Sequence, residues 1–243
     1  MNTLKDKVIL ITGANRGIGK SLVKAALEKG AAKIYATSRN LNTMPDFADQ
    51  RVVTLKLDIT NNSQLSEVSA ITKDVQILIN NAGSLNNGTI LGGEISGLEY
   101  DMRTNYLGTI NMMRAFSAIL ESNAPSKIVN IVSIVAYSPL PTIAGYSASK
   151  AALFSATLSA RTELAKKGIT VHTVNPGAID TDMNKESDWE MPSPDGIAKI
   201  ILDQVENGEL DIVPDLMGIQ MFNAWKEEPS KLAGIFHDIY HGE

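Results

Sequence analysis

Cysteine is absent from the 243 residues, which excludes disulfides, thiolate metal sites and a cysteine nucleophile. Histidine is scarce, because His172, His237 and His241 are the only imidazoles, and we expect no metal site. Positive charge is not in excess either. The chain has 22 Lys and Arg residues and 27 Asp and Glu residues, which gives a net charge of −5. This charge argues against general binding to nucleic acid or to an anionic membrane.

Long apolar runs are also missing. The first one, Val8–Ile11, is too short for a signal peptide, and the longest uncharged stretch, residues 128–149, contains Pro139, Pro141 and several polar residues. We therefore expect a cytoplasmic protein without a membrane segment. Apolar residues nevertheless make up 44% of the chain, which is enough for a sizeable core.

Short β-branched runs alternate with helical patterns along the chain. The predicted strands are Val8–Ile11, Lys33–Ala36, Val52–Leu57, Ile77–Ile79, Lys127–Val132, Thr170–Val174 and Leu210–Val213. The predicted helices are Ile18–Lys29, Leu98–Leu120, Ser147–Lys167 and Pro194–Glu206. This alternation predicts an α/β Rossmann fold, with a doubly wound parallel sheet of about seven strands and helices on both faces. Without a linker or repeat, residues 1–243 form one domain.

Polar or turn-forming residues follow six of the predicted strands. They are Thr12-Gly13, Ser38-Arg39, Asp58, Asn80-Asn81, Ser133 and Asn175-Pro176-Gly177. Because the carboxyl ends of parallel strands meet at one edge of the sheet, where open α/β sheets bind their ligands, these residues predict a crevice there.

A glycine-rich turn follows the first strand at residues 12–19, Thr-Gly-Ala-Asn-Arg-Gly-Ile-Gly, and leads into a helix. Glycines let the backbone approach a pyrophosphate, whose charge is favoured by the free N–H groups at a helix N-terminus. The spacing G-x-x-x-G-x-G differs from the G-x-G-x-x-G fingerprint, and a merely tight strand-to-helix connection is the alternative. Its place after the first strand favours a dinucleotide site.

The end of the second strand bears on which dinucleotide binds. An NAD site usually has an acidic residue here for the ribose 2′-hydroxyl, whereas an arginine accommodates the 2′-phosphate of NADP. This chain has Ser38 followed by Arg39, and Arg16 in the glycine turn can approach the same phosphate. We therefore expect NADP(H) to be preferred over NAD(H). The alternative is that either arginine simply extends into solvent.

A tyrosine and a lysine lie four residues apart in the third predicted helix. This spacing puts Tyr146 and Lys150 on one face, where the ammonium is expected to lower the pKa of the phenol toward neutrality. Such a phenol could exchange a proton with a carbonyl or an alcohol, while Ser133 at a strand end holds the substrate oxygen. On its own, Tyr-x-x-x-Lys is a common and usually structural pattern.

Taken together, these residues resemble the short-chain dehydrogenase/reductase family, over about residues 5–183. The matching features, in family order, are Thr12-Gly13-x-x-x-Gly17-x-Gly19, Asp58, Asn80-Asn81-Ala82-Gly83, Asn105, Ser133, Tyr146-x-x-x-Lys150 and Asn175-Pro176-Gly177. Several of them are weak individually, but the set is specific, and no catalytic position departs from the family pattern.

The resemblance implies four catalytic residues. Tyr146 would be the general acid in reduction and the base in oxidation, and Lys150 would lower its pKa and hold the nicotinamide ribose. Ser133 would orient the carbonyl, and Asn105, within helix 98–120, would support a water-mediated proton relay through Lys150. Asn80 is expected to stabilise the sheet. The predicted cofactor-binding residues are Gly13, Arg16, Ile18, Arg39, Asp58, Ile59, Asn81, Ala82, Gly83, Tyr146, Lys150, Pro176, Gly177, Ile179 and Thr181.

Two other functions compete with this interpretation. A serine hydrolase is suggested by Gly-Tyr-Ser-Ala-Ser at residues 145–149, but the fifth position is Ser149 instead of glycine and no strand leads directly into the turn. His172 lies in a predicted strand, where a core histidine is expected. The stronger rival is a catalytically silent NADP(H)-binding regulatory or scaffold protein. The intact Ser133, Tyr146 and Lys150 argue against it.

Three segments are predicted to contact the small carbonyl or alcohol substrate, namely residues 84–97, 135–145 and 183–195. The last one forms a short lid containing Met183, Trp189 and Met191, which favours a compact or partly apolar substrate over a long acyl-carrier chain. The tail, residues 214–243, would cover either this pocket or an interface. In the resembling family, the helices at 98–120 and 147–167 form a dimer interface, so we expect a homodimer or homotetramer.

Overall fold

The computed structural model describes residues 3–185 and 189–242, and its centre is one seven-stranded parallel sheet in the order β3-β2-β1-β4-β5-β6-β7. The strands are β1 Val8–Thr12, β2 Lys33–Ser38, β3 Val52–Lys56, β4 Ile77–Asn80, β5 Ser126–Ile131, β6 Ile169–Val174 and β7 Asp211–Ile212. All seven predicted strands are therefore present. The strand order reverses between β1 and β4, the position where open sheets of this kind leave a crevice for ligands.

Eight α-helices occur within the described part of the chain. They are α1 Gly17–Glu28, α2 Asn62–Ile71, α3 Ile95–Asp101, α4 Thr109–Ser122, α5 Ala144–Leu164, α6 Pro194–Asn207, α7 Leu216–Glu227 and α8 Pro229–His241. The sequence did not predict α2, which buries only Leu65 and Val68 and therefore has a weak apolar pattern. The tail is helical, since α7 and α8 occupy most of residues 214–243.

The predicted helix over residues 98–120 is divided into three parts. A π-helical segment, Met102–Gly108, lies between α3 and α4. The prediction of one continuous α-helix was therefore wrong at its N-terminal end. The apolar period of about 3.6 residues indicates a helix but does not reveal a local change to i→i+5 hydrogen bonds.

Helices cover both faces of the sheet, as predicted. On one face, α1 and α6 pack against each other and bury side chains such as Leu22, Val23 and Ile201. On the other face, α2, α4 and α5 cover a second core that contains Phe116 and Leu120. Because both faces of the sheet are covered, inner strands such as β1 and β4 are nearly continuous apolar runs that end in polar residues at one edge. The edge strand β3 is partly exposed.

A third apolar cluster lies beyond that edge. Val135, which follows β5, packs there with Met221 of α7 and with Leu232 and Phe236 of α8. This cluster fixes α7 and α8 beside the carboxyl ends of the strands. Within residues 3–185 and 189–242, no helix combines the length and the apolar character needed to cross a membrane.

Candidate active site

The glycine turn after β1 is built for close approach of the backbone. Gly13 has φ +65° and Gly17 has φ +51°, values in the left-handed region that favours glycine. A Cβ on Gly19 would lie 2.2 Å from the carbonyl oxygen of Gly13. No side chain caps the N-terminus of α1. The turn therefore offers N–H groups and an uncrowded concave surface, a combination suited to a pyrophosphate.

The segment after β4 is bonded to this turn. The Asn81 side-chain amide donates to the carbonyl oxygens of Thr12 and Gly13, at 2.9 and 3.0 Å. In return, the Thr12 hydroxyl accepts from the backbone N–H groups of Asn81 and Ala82, both at 3.0 Å. These bonds hold two loops from neighbouring strands in one fixed arrangement. Asn80 instead donates to the Asn130 side chain of β5 at 2.8 Å, which agrees with its predicted role in the sheet.

A cleft of about 390 Å³ runs along this edge of the sheet, and we call it the cofactor cleft. All the cofactor-binding residues predicted from the sequence line it. The prediction missed Asn40, Thr43, Thr104 and Asn184, which also line it. Asn40 and Thr43 could have been found from their place just after β2, whereas nothing local in the sequence marks Thr104.

Both predicted 2′-phosphate ligands lie at the cofactor cleft and have partners there. Arg16 forms an exposed ion pair with Asp182, with Nη1 and Oδ2 3.2 Å apart. Arg39 donates to the hydroxyl of Tyr100. The carboxylate of Asp58 accepts two hydrogen bonds from Thr60, at 2.7 and 2.9 Å. Two cations thus flank this cleft, at the glycine turn and at the end of β2.

Tyr146 and Lys150 lie one turn apart near the start of α5. The Lys150 ammonium lies 5.5 Å from the centroid of the Tyr146 ring and donates to the carbonyl oxygen of Ile131 at 2.8 Å. Burial raises the pKa of Tyr146 to about 12, and a hydrogen bond with Ser133 opposes this shift. The pKa of this phenol is therefore raised overall instead of lying near neutrality, because desolvation dominates. The lowering effect of Lys150 stays a prediction.

Burial also changes the lysine. It lowers the pKa of Lys150 to about 8, while the negative charge of Asp101 acts in the opposite direction. Asp101 is fully buried, and its carboxylate accepts hydrogen bonds from the Ser84 hydroxyl at 2.7 Å and from Asn86 at 2.7 and 3.0 Å. The sequence analysis missed Asp101. Its spacing of four residues from Asn105 was the available signal.

Asn105 lies in the π-helical segment and is fully buried. Its side chain makes two hydrogen bonds with the backbone of Ser84 and donates to the Ser149 hydroxyl at 2.8 Å. Ser149 in turn donates to the carbonyl oxygen of Tyr146 at 2.7 Å. Asn105 therefore joins the loop after β4 to the first turn of α5. The predicted relay through water and Lys150 stays a prediction.

A second cleft of about 590 Å³ adjoins the first, and we call it the substrate cleft. All three predicted substrate segments contribute to it, and α7 and α8 contribute as well. Residues lining both clefts are Ser133, Tyr146, Gly177, Met183 and Asn184. Further lining residues are Leu85, Asn87, Ile134, Val135, Leu140, Thr142, Ile143, Ala178, Trp189, Met217, Met221, Phe236, Ile239 and Tyr240. Residues Glu186, Ser187 and Asp188 of the predicted lid lie outside the described residues.

One carboxylate connects the loop after β6 with α7. Asp215 is almost fully buried and caps α7 by accepting from the backbone N–H of Gly218 at 2.8 Å. Its other oxygen accepts from the N–H of Gly177, also at 2.8 Å. Gly177 lines both clefts, so Asp215 fixes the position of α7 relative to the junction between them.

The serine hydrolase alternative finds no support in this geometry. Ser147 is buried, donates to the carbonyl oxygen of Ile143 at 3.0 Å and has no imidazole partner among its hydrogen bonds in the described structure. His172 is fully buried in β6, where Nδ1 lies 2.6 Å from the carbonyl oxygen of Glu209. Burial lowers its pKa to about 4, so it is a neutral core histidine, as expected.

Comparison with known proteins identifies the family. A family model described as short chain dehydrogenase matches residues 7–191. An uncharacterized oxidoreductase of Staphylococcus saprophyticus is 32% identical over 200 residues, which cover 78% of this chain and 85% of the relative. A 3-oxoacyl-(acyl-carrier-protein) reductase of Vibrio cholerae is 34% identical over 188 residues, or 75% of this chain and 77% of the relative.

Solved structures agree with this match. A short chain dehydrogenase from Burkholderia cenocepacia in complex with NADP has a TM-score of 0.92 and 35% identity, covering 96% of this chain and 98% of its own. A short chain dehydrogenase/reductase from Burkholderia phymatum in complex with NAD has a TM-score of 0.85 and 18% identity. The match covers 94% of this chain and 95% of that structure, and at this identity it supports the fold alone. The chain is therefore a Rossmann-fold oxidoreductase that belongs to the short-chain dehydrogenase family.

Proposed function

We propose that this protein transfers a hydride between NADP(H) and a small carbonyl or alcohol, with Tyr146 as the general acid in reduction and the base in oxidation. The observation that carries the proposal is the junction of the two clefts. Ser133 and Tyr146 line both of them, so a nicotinamide in one cleft and a carbonyl in the other would meet at the same phenol. The geometry of the glycine turn fits a dinucleotide.

The protonation states of Tyr146 and Lys150 support the role of Tyr146 as the general acid in reduction. A Tyr146 pKa of about 12 keeps the phenol protonated near neutral pH, so it holds a proton that it can donate to a carbonyl oxygen. A Lys150 pKa of about 8 keeps most of the ammonium charged at pH 7. Ser133 would hold the substrate oxygen and stabilise its developing charge. When bound, the nicotinamide supplies or accepts the hydride.

The cofactor preference is also part of the proposal. Arg16 and Arg39 flank the cofactor cleft, and their charges would complement the 2′-phosphate of NADP. The similar Burkholderia cenocepacia structure holds NADP, which supports the same choice. A homodimer or homotetramer and a cytoplasmic location stay predictions from the sequence. Light scattering behind a sizing column would test the first.

The first experiment measures consumption of NADPH and NADH with a panel of aldehydes, ketones and diketones. In Tyr146→Phe, turnover should fall about a hundredfold to ten-thousandfold, the range for loss of a general acid. The matched control is Tyr137→Phe, which removes a phenol from the neighbouring aromatic cluster. Equal turnover in the two variants would contradict the role of Tyr146. Tight NADPH binding without turnover of any substrate would favour the silent binding protein.

Cofactor choice is tested with Arg39→Ala. Losing a charged hydrogen-bond partner of a phosphate costs about 1.5–3 kcal/mol, so KM for NADPH should rise about 10-fold to 150-fold. KM for NADH, which lacks this phosphate, should stay unchanged and serves as the internal control. A wild-type protein that prefers NADH would overturn the assignment of both arginines and leave the chemistry at Tyr146 intact.

A further inference from the structure

The described residues that line the substrate cleft carry no charged side chain. Among the described residues that line it there is no Asp, Glu, Lys, Arg or His. Lys150 is turned away from it, because its ammonium donates to the carbonyl oxygen of Ile131 on the cofactor side. A carboxylate or phosphate in this cleft would lose its water without gaining a cation, and such burial is costly.

Polar side chains are a minority among the described residues that line this cleft. Asn87 and Thr142 are exposed, so water satisfies them at the mouth of the cleft. The side-chain amide of Asn184 donates to the carbonyl oxygen of Ile179 at 2.9 Å. Trp189 and Tyr240 also line the cleft and are partly exposed. Ser133 and Tyr146 form the polar pair that this cleft shares with the cofactor cleft. The cleft therefore presents a largely apolar surface around the polar pair Ser133 and Tyr146.

That apolar surface is supplied largely by α7 and α8. Met221 and Phe236 are buried beside Val135, and Met217 lines the cleft from the first turn of α7. Methionine side chains adapt to irregular shapes, so these walls can accommodate different apolar groups. The volume of about 590 Å³ lies within the range of about 300–1,000 Å³ that is typical of small-molecule sites.

We infer that the substrate is an uncharged, largely apolar aldehyde or ketone, or the matching alcohol, and that α7 and α8 select it against compounds with a carboxylate or phosphate. This inference rests on the proposed function, because Tyr146 has to be the proton donor for the adjoining cleft to hold the substrate. It adds the chemical class of the substrate, which neither the glycine turn nor the catalytic pair specifies.

The test compares carbonyl compounds that differ only in charge or length. Methyl ketones of increasing length should gain about threefold to fourfold in kcat/KM per methylene until the cleft is filled. Benzaldehyde carrying a para methyl ester should exceed its para carboxylate by at least about tenfold. Preference of the wild-type protein for the carboxylate would overturn the inference while leaving the proposed function intact.

Charge variants test the cleft directly. Met217→Arg adds a cation to the wall, and we expect the ratio of carboxylate to ester turnover to rise at least about tenfold. Ile219→Arg, at an exposed position on the same helix, should leave the ratio unchanged. Thr142→Lys adds a cation at the exposed mouth and covers the case in which Met217→Arg does not fold. An unchanged ratio in folded cleft variants would contradict the inference.

A binding measurement separates failure of the inference from failure of the proposed function. Quenching of Trp189 fluorescence, measured in Trp225→Phe with saturating NADPH, reports binding of the ester and carboxylate of para-hydroxymethyl benzoic acid without turnover. Stronger binding of the ester supports the apolar cleft even if no carbonyl is reduced, a result that would contradict only the proposed function. Stronger binding of the carboxylate would overturn the inference whatever the activity.

Discussion

The cofactor cleft and the substrate cleft share Tyr146 but are constructed differently. The cofactor cleft is formed mainly by backbone turns at the edge of the sheet, with two arginines and several amides around it. The substrate cleft is formed mainly by apolar side chains from several separate segments, including α7 and α8. The first arrangement is suited to one constant ligand. In the second arrangement, substitutions of the apolar side chains can alter which ligand is bound without changing the sheet.

This difference has a physical origin. A backbone turn at a strand end depends on which positions tolerate a left-handed conformation or a close approach, so few residue types can form it. An apolar wall needs only suitable volume and shape, which many combinations of Leu, Ile, Met and Phe supply. Chemistry and cofactor binding are therefore concentrated in short motifs, and substrate choice is spread over the chain.

The largest contrast should come from glycine substitutions in the two regions. In Gly19→Ala the new Cβ would lie 2.2 Å from the Gly13 carbonyl oxygen and 2.4 Å from the Asn81 side chain. Overpacking of this kind costs about 1–3 kcal/mol of stability. Displacement of the turn should weaken cofactor affinity by at least about a hundredfold. Thermal melting and a cofactor titration measure both effects.

Gly234→Ala is the matched control for that substitution. An added Cβ there has nothing within 4 Å, and Gly234 lies inside α8. Alanine favours a helix over glycine by about 1 kcal/mol, so the melting temperature should rise while cofactor affinity stays constant. A normal cofactor affinity in Gly19→Ala would contradict the close packing described for the turn.

A smaller effect on kcat/KM is expected from a change of pH, and it should come from Lys150, which lines the cofactor cleft. The Lys150 pKa of about 8 means that the charged form is lost as pH rises through that value, so kcat/KM for NADPH should fall about tenfold per unit above it. Tyr146 stays protonated over this range, because its pKa is about 12. A pH–rate profile from pH 6 to 10 measures the fall.

Asp101→Asn sharpens this test. Its negative charge favours the lysine ammonium, so removing that charge should lower the Lys150 pKa and start the fall at a lower pH. The neutral walls of the substrate cleft should leave the preference for ester over carboxylate unchanged in the same variant. An unmoved profile would show that Asp101 does not influence the lysine.

The smallest effect is predicted for the Arg16–Asp182 ion pair. Both side chains are mostly exposed, at 64% and 63%, so the pair contributes at most about 1 kcal/mol. Asp182→Asn should release Arg16 for the cofactor phosphate and tighten NADPH binding by up to about fivefold at low salt. Asp203→Asn, which breaks an ion pair of α6 with Lys29, should not alter NADPH binding. Weaker NADPH binding in Asp182→Asn would contradict this account.

Prediction from the sequence succeeded where local constraints act. Buried parallel strands are apolar runs that end in polar residues, so the seven strands, the glycine turn and the cleft residues Ser133, Tyr146 and Lys150 could all be found. The π-helical segment and α2 could not, because a small change in hydrogen bonding or a short apolar face leaves little trace in the pattern. The family motif identified Asn105, but the sequence did not reveal that this residue lies in a π-helical segment.

Long-range packing explains the remaining differences. The pKa of Tyr146 depends on how much water the fold removes around it, which no spacing reveals. The substrate cleft depends on where Met217 and Phe236 lie relative to Val135, about a hundred residues earlier in the sequence. Sequence analysis left open whether the tail, residues 214–243, covers the substrate pocket or an interface. The structure places it against the cleft, and its part in any interface stays untested.

Asp215 has a consequence for how ligands affect one another. Because its two oxygens accept hydrogen bonds from the backbone N–H groups of Gly177 and Gly218, one carboxylate joins the loop after β6 to the first turn of α7. Gly177 lines both clefts and α7 lines the substrate cleft. If a ligand displaces either element, its binding is coupled to binding in the adjoining cleft. Thermodynamic linkage makes such coupling reciprocal. The factor by which the first ligand changes the affinity for the second equals the factor by which the second changes the affinity for the first.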